Sequence, residues 1–165
     1  MKFVIEKNAF LDVLQAAINA VPNKSTIQIL NNFALRLEGN FLEVSATDLN
    51  LGIMVKVEVQ GERDGSVVIN ARKLLDLVKS LVDPSITNVT FDVQDYLATI
   101  QWSAKGKASI SGIDASDFPP FPEVSEGESL NFAASELAFL SERTSFACST
   151  DTICLNLNGV YLEAK

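Results

Sequence analysis

A short phrase occurs three times in this chain, each time as an apolar run leading directly into the pattern of an amphipathic helix. The copies are Phe3-Val4-Ile5-Glu6-Lys7-Asn8-Ala9-Phe10-Leu11, Val67-Val68-Ile69-Asn70-Ala71-Arg72-Lys73-Leu74-Leu75 and Leu130-Asn131-Phe132-Ala133-Ala134-Ser135-Glu136-Leu137. They begin at residues 3, 67 and 130, a period of about 64 residues, and self-similarity at a fixed period constrains the architecture before any single element does. A unit of this size buries its apolar face against its neighbour. Duplication of this kind builds an extended surface rather than a pocket around one reactive group.

Within the first copy, Phe10, Val13, Leu14, Ala17, Ile18 and Val21 fall on one helical face, with Asn8 placed to cap the start and Pro22 to end it. Asp12, Gln15 and Asn19 occupy the opposite face. Strand patterns follow: Phe33, Leu35 and Leu37, a Gly39-Asn40 turn, Leu42, Val44 and Ala46, then Ile53, Val55, Val57 and Val59. The second copy repeats the order. Asn70 caps a helix whose stripe is Ala71, Leu74, Leu75, Val78, Leu81 and Val82, stopped by Asp83-Pro84. Val89, Phe91 and Val93, a Gln94-Asp95 turn, Ala98, Ile100 and Trp102, a Lys105-Gly106 turn, and Ala108 and Ile110 complete it. The expected class is α+β, two β-α-β-β-β units with antiparallel sheets and two helices per domain.

The composition changes after residue 113. Asp114, Asp117, Pro119, Pro120, Pro122, Glu123, Glu126 and Glu128 mark a connector stiffened by proline and solvated by acid. The expected domains are residues 1–118, a linker at 119–128, and a second domain opening at 129. That second domain is expected to hold a strand at Leu130–Phe132, a helix from about Ser135 to Thr144 and a strand pair through Leu155–Leu162. Only part of a sheet fits before Lys165, so the expectation is a longer parent chain.

The chain has no histidine, which removes the commonest general base and metal ligand, and its two cysteines, Cys148 and Cys154, do not suffice for a zinc site. No catalytic residue, metal or cofactor is expected. Two thiols and an N-terminus that turns polar by Glu6 fit a reduced, cytoplasmic protein, with no apolar run long enough to span a bilayer. The net charge of −8 is unevenly spread. Residues 1–113 carry eleven Lys/Arg against twelve Asp/Glu, whereas residues 114–165 carry two against nine. A basic face on the first part is therefore compatible with an acidic whole.

Six segments occur in order at a spacing that resembles one family: Met1-Lys2-Phe3, Thr26-Ile27-Gln28-Ile29-Leu30-Asn31-Asn32, Ala46-Thr47-Asp48-Leu49, Ala71-Arg72-Lys73, Ser116-Asp117-Phe118-Pro119 and Leu157-Asn158-Gly159-Val160. Together they resemble the bacterial sliding clamp, the β subunit of DNA polymerase III. The resemblance implies a processivity factor of DNA replication, without chemistry of its own. Three similar domains per protomer form a head-to-tail ring-shaped homodimer around double-stranded DNA, and the partners implied are DNA polymerase III and its clamp loader. It implies no membrane and no small-molecule substrate, and that this stretch by itself closes no ring.

The resemblance also implies site residues. DNA contacts fall on Lys24, after the first helix, on Arg72, opening the second, and on the stretch holding Asp151, Leu155 and Asn156, where this chain departs from the family's basic and aromatic pattern. Lys73, Lys105, Lys107 and Ser109 correspond to the basic side of the ring-closing interface. Each has a plainer reading. Lys24 is also an ordinary solvated loop lysine, and Arg72 an i,i+4 partner of Asp76 on a helix face shared with Lys79. Lys105 and Lys107 would protect a strand edge. Asp48 reads as a turn residue bonding its own backbone, Cys148 and Cys154 as small buried side chains, and Tyr96 and Trp102 as packing. The rival functional reading is an α+β protein–protein interaction module that binds no DNA. A carboxylate enzyme built on Asp12 and Asp48 ranks below it, because no spacing brings two carboxylates together.

Overall fold

A computed structural model describes residues 1–121, 131, 133–151 and 155–163. The chain forms two compact units, 1–121 and 122–165. In the first, β1 (Lys2–Glu6) leads into α1 (Lys7–Ala17), followed by β2 (Asn32–Glu38), β3 (Phe41–Thr47), β4 (Gly52–Glu58) and β5 (Gln60–Arg63). The second copy gives β6 (Gly65–Asn70), α2 (Ala71–Ser80), β7 (Asn88–Gln94), β8 (Leu97–Gln101) and β9 (Lys107–Ile113). All pairings are antiparallel, in the order β4-β3-β2-β6-β9-β8-β7-β1-β5.

The register shows how the copies interlock. β1 pairs with β7, setting Phe3 opposite Phe91, and β6 pairs with β2, setting Val67 opposite Leu35. Each copy thus lends its opening strand to the other's meander. The last strand of each copy also crosses over. The chain passes from pairing β3 to pairing β1 at Val59, and β9 leaves β8 to meet β6 at Gly112. Both crossings are pinned alike, Val59 N donating to Asn40 O at 2.8 Å and Gly112 N to Tyr96 O at 2.7 Å. β5 is the tail of the first crossing, which is why strand alternation around Val59 gives no sign of a separate element.

One core results. Phe3, Phe10, Leu14, Phe33, Leu35, Ile69, Leu74, Phe91 and Ile100 are fully buried in it, and α1 packs beside α2 over the inner faces of the strands. The aromatic heart is Phe3 stacked on Phe91 at 5.0 Å between centroids, with Phe10 edge-on to Phe3 at 6.2 Å and to Phe91 at 6.1 Å. Both geometries are preferred by ring quadrupoles.

Several local expectations are corrected. Glu6, not Asn8, precedes α1, which starts at Lys7 and has no side-chain cap. Its last turn tightens into a 3-10 turn over Ile18–Ala20, a common way for a helix to finish. Val82 is 83% exposed because α2 ends at Ser80 and Leu81 turns the chain away. The β7–β8 turn lies at Asp95-Tyr96, both with positive φ (47° and 61°), a left-handed pair that suits the right-handed twist of a hairpin. Asn70 caps α2 as expected, its Oδ1 accepting from Lys73 N at 3.0 Å.

In the second unit, α3 (Ala134–Thr144) exposes Leu137, Phe139 and Leu140, and the Arg143 guanidinium sits 5.1 Å from the Phe139 ring centre. The strand pair expected through Leu155–Leu162 is not formed. Leu155–Leu157 is a 3-10 turn, and among the described residues of this unit there is no strand to take up ladder hydrogen bonds. Leu130 and Phe132 of the expected strand lie outside the described residues, as does Cys154, while Cys148 is half-buried. No helix among the described residues is long and apolar enough to cross a membrane.

Candidate nucleic-acid interface

Burying Phe10, Val13, Leu14 and Ala17 of α1 leaves Asn8, Asp12, Gln15 and Asn19 exposed. Burying Ala71, Leu74, Leu75 and Val78 of α2 leaves Arg72, Lys73, Asp76 and Lys79 exposed in the same way. The adjacent helices therefore turn a polar surface to solvent, with its cations on α2 and on the loop after α1.

Arg72 does not pair with Asp76. Its Nη2 donates to Asn23 Oδ1 at 3.0 Å, with Pro22 O at 3.5 Å, so the guanidinium ties the start of α2 to the residue next to Lys24. An i,i+4 pair on an exposed helix is worth only about 0.3–0.5 kcal/mol, and the loop amide competes successfully with it. The structure thus brings together Arg72 and the loop holding Lys24, 49 residues apart at Asn23. No sequence signal marks Asn23, because nothing local records so long a contact.

The cations of the first unit divide into paired and unpaired. Four on the strands are neutralised: Lys2 by Glu62 at 2.6 Å, Lys56 by Glu43 at 3.2 Å, Arg63 by Asp92 at 2.6 Å, and Arg36 by Glu38. Among the described residues, Lys24, Arg72, Lys73 and Lys79 make no ion pair, nor do Lys105 and Lys107. A surface offering these unpaired cations among amides, with Asp12 and Asp76 the carboxylates on the two helices, suits phosphates reached through water.

Lys105 stands on the turn before β9, and Lys107 and Ser109 face outward on β9 itself. Ser109 Oγ lies 3.1 Å from Thr99 Oγ1, and the edge of β9 opposite β8 is unpaired until Gly112. Lys73 sits in the first turn of α2, and among the described residues no hydrogen bond joins it to these three. In the second unit, Asp151 and Asn156 are exposed, Asp151 N donates to Ser149 Oγ at 3.0 Å, and Leu155 opens the 3-10 turn.

Asp48 is held by its own turn. Its Oδ1 accepts from Leu51 N at 2.7 Å and Asn50 N at 2.9 Å, and these bonds keep its carboxyl below the ordinary value of 3.8. A carboxylate so occupied is a poor proton acceptor. The backbone-capping reading of Asp48 stands.

Residues 1–122 match the family described as DNA polymerase III beta subunit, N-terminal domain. The chain belongs to that family. The beta sliding clamp of Pseudomonas putida is 31% identical over 166 aligned positions, covering all of this chain and 44% of that protein. The Vibrio harveyi beta sliding clamp sequence is 32% identical over 148 positions, 89% of this chain and all of that sequence. Among solved structures, a Bartonella birtlesii sliding clamp superposes with a TM-score of 0.89 at 27% identity, over 98% of this chain and 42% of that one. The beta sliding clamp of Caulobacter crescentus gives 0.86 at 30% identity, over 99% and 43%. The chain therefore spans a little under half the length of most clamp relatives it matches. The duplicated α+β fold with antiparallel strands is the fold of these clamps.

Proposed function

We propose that this chain supplies a domain, and the opening of the next, to a ring-shaped processivity clamp that encircles duplex DNA and tethers DNA polymerase III after placement by a clamp loader. The observation that carries the reading is the set of unpaired cations on and beside α2 in a member of the clamp family. Four strand cations are cancelled by neighbouring carboxylates, whereas among the described residues every cation of α2 and Lys24 on the loop after α1 is left without an ion pair. A sliding tether needs sequence-blind, weak attraction, which lysine and arginine give when they meet phosphates without reading base edges. Retention comes from the ring being closed, so no catalytic group is required. Lys24 and Arg72 are the proposed DNA contacts of the first domain, with Asp151, Leu155 and Asn156 marking a third contact that Asp151 weakens by repulsion. Lys73, Lys105, Lys107 and Ser109 form the proposed basic half of a head-to-tail interface between copies, with domain limits at 118 and 128.

Anisotropy titration of a short duplex tests this at about 50 mM salt and again at about 200 mM, where electrostatic binding falls steeply. Arg72→Glu should weaken binding about tenfold at the lower salt and flatten the salt slope by about one unit for each phosphate no longer reached. Lys56→Glu, on the outer face of β4, should leave both unchanged. Equal effects of the two substitutions, or no salt-dependent binding by the parent chain, would support a protein-only interaction module instead.

A further inference from the structure

The outer faces of the two half-sheets are related by the same internal symmetry as their strands, yet among the described residues only one is crossed by a later segment of the chain. After β9 a strap, residues 114–121, packs its 3-10 turn Ala115–Asp117 against β6 and runs to β4. There the Phe121 ring lies so close that a Cβ on Gly52 would stand 2.6 Å from Phe121 Cε1. β6 and β4 bound the row β4-β3-β2-β6, so the strap traverses four strands. Its root is fixed by Asp114, which accepts from Tyr96 Oη at 2.6 Å and from Ser116 N at 2.9 Å. Phe118, Pro119 and Phe121 become half-buried, and strap and strands together line a groove of about 710 Å³.

The symmetric place on the other half-sheet is a groove of about 740 Å³ that no strap of described residues crosses. Thr90, Gln94, Thr99 and Gln101 stand there where Ala34, Glu38, Glu43 and Ser45 stand in the twin. Its ionic groups are already matched, Lys2 with Glu62 and Asp92 with Arg63. Its amides are partly engaged, Gln94 Nε2 donating to Asp92 Oδ2 and Gln101 Nε2 to Ser103 O, each at 3.1 Å, with Thr99 Oγ1 3.1 Å from Ser109 Oγ. This leaves the Gln94 and Gln101 amide oxygens to accept. The half-buried Thr90 hydroxyl bonds to no described residue. Leu97, 46% exposed, and the half-buried Trp102 are its apolar contact points.

We propose that this second groove docks an extended Phe- and Pro-containing segment of a partner protein, matching in chemistry the strap that crosses its twin. The strands beneath it have committed their backbone groups to neighbours, so recognition is by side chains. Hydroxyls and amides meet the peptide groups of an extended chain, while aromatic and proline rings rest on Leu97 and Trp102. A proline-rich segment is already extended and loses little freedom on docking. The groove lies on the face away from α1 and α2, so this contact does not compete with DNA at the proposed interface.

The probe is a blocked synthetic peptide of the strap sequence, Ser116-Asp117-Phe118-Pro119-Pro120-Phe121, titrated into the isotopically labelled chain and followed by amide NMR. Saturable shifts are expected at Thr90, Gln94, Leu97, Thr99 and Gln101 and at the Trp102 indole N–H. Thr99→Arg, which fills the middle of the groove, and Leu97→Ser, at an exposed site, should each weaken binding at least tenfold while thermal unfolding stays within a few degrees of the parent. A peptide with both Phe changed to Ser should not bind. The proposal is overturned by an absence of saturable shifts, by shifts confined to Arg36, Glu43 and Ser45 (exchange with the resident strap), or by binding that survives both substitutions.

Discussion

Phe91→Ala is expected to destabilise the first unit by about 3–5 kcal/mol, because a fully buried aromatic is removed and the cavity refills only in part. For a unit of this size that is a fall in Tm of about 15–25 °C. The position is unusually costly because of what meets there. Phe3 comes from the first copy's opening strand, Phe91 from the second copy's meander and Phe10 from α1, and all three rings are in contact. Losing Phe91 removes packing from both copies at once. The symmetric cluster offers an internal control: Val67, Leu35 and Leu74 occupy the equivalent places and are equally buried. Phe91→Leu, which installs what the twin position already holds, should cost only about 1–2 kcal/mol. Urea unfolding followed by circular dichroism measures both. A midpoint for Phe91→Ala within experimental error of the parent would show that the rings are not the joint between the copies.

Gly61→Ala is expected to be nearly as damaging, about 2–4 kcal/mol, although it adds a single methyl group. A Cβ at Gly61 would lie 1.8 Å from the carbonyl oxygen of Gly39 and 2.9 Å from its carbonyl carbon. Backbone on both sides makes the overlap hard to relieve. Gly39 is held in the left-handed region at φ 56° and donates its N–H to Asp64 Oδ1 at 2.9 Å, while Val59 N and Gly61 N bond to Asn40 O and Oδ1. Moving the β2–β3 turn aside breaks the bonds that pin the first strand crossing. Gly39→Ala, where a Cβ would meet nothing within 4 Å, should cost only the left-handed strain of about 1–2 kcal/mol. The ordering of the two variants in a thermal melt is the test, and a Gly61→Ala protein as stable as the parent would contradict the crossing geometry.

Much of the fold is legible in the sequence because it depends on local periodicity. The apolar stripes of α1 and α2, the alternation of β2, β3 and β7, and the Asn70 cap all reside in short windows. What could not be read depends on partners far along the chain. The exchange of β1 and β6 between copies, the switch of partners at Val59 and the choice of Asn23 over Asp76 by Arg72 are decided by tertiary neighbours that no short window contains. Strand periodicity after residue 150 failed for a related reason. An alternating segment becomes a strand only beside another strand. For the candidate interface, the family resemblance singled out Lys24 and Arg72. The pairing of strand cations with Glu43, Glu62 and Asp92 is a tertiary fact with no sequence marker.

The claim on which the functional reading depends is that the helix side, not the sheet side, meets the nucleic acid. Amide and side-chain NMR of the chain titrated with duplex DNA at low salt addresses this directly. The account predicts shifts at Gln15, Asn19, Asn23, Lys24, Arg72 and Lys79, reversed by added salt, with Arg36, Lys56 and Arg63 unmoved. Shifts concentrated at Arg36, Lys56 and Arg63, with α1 and α2 silent, would contradict it.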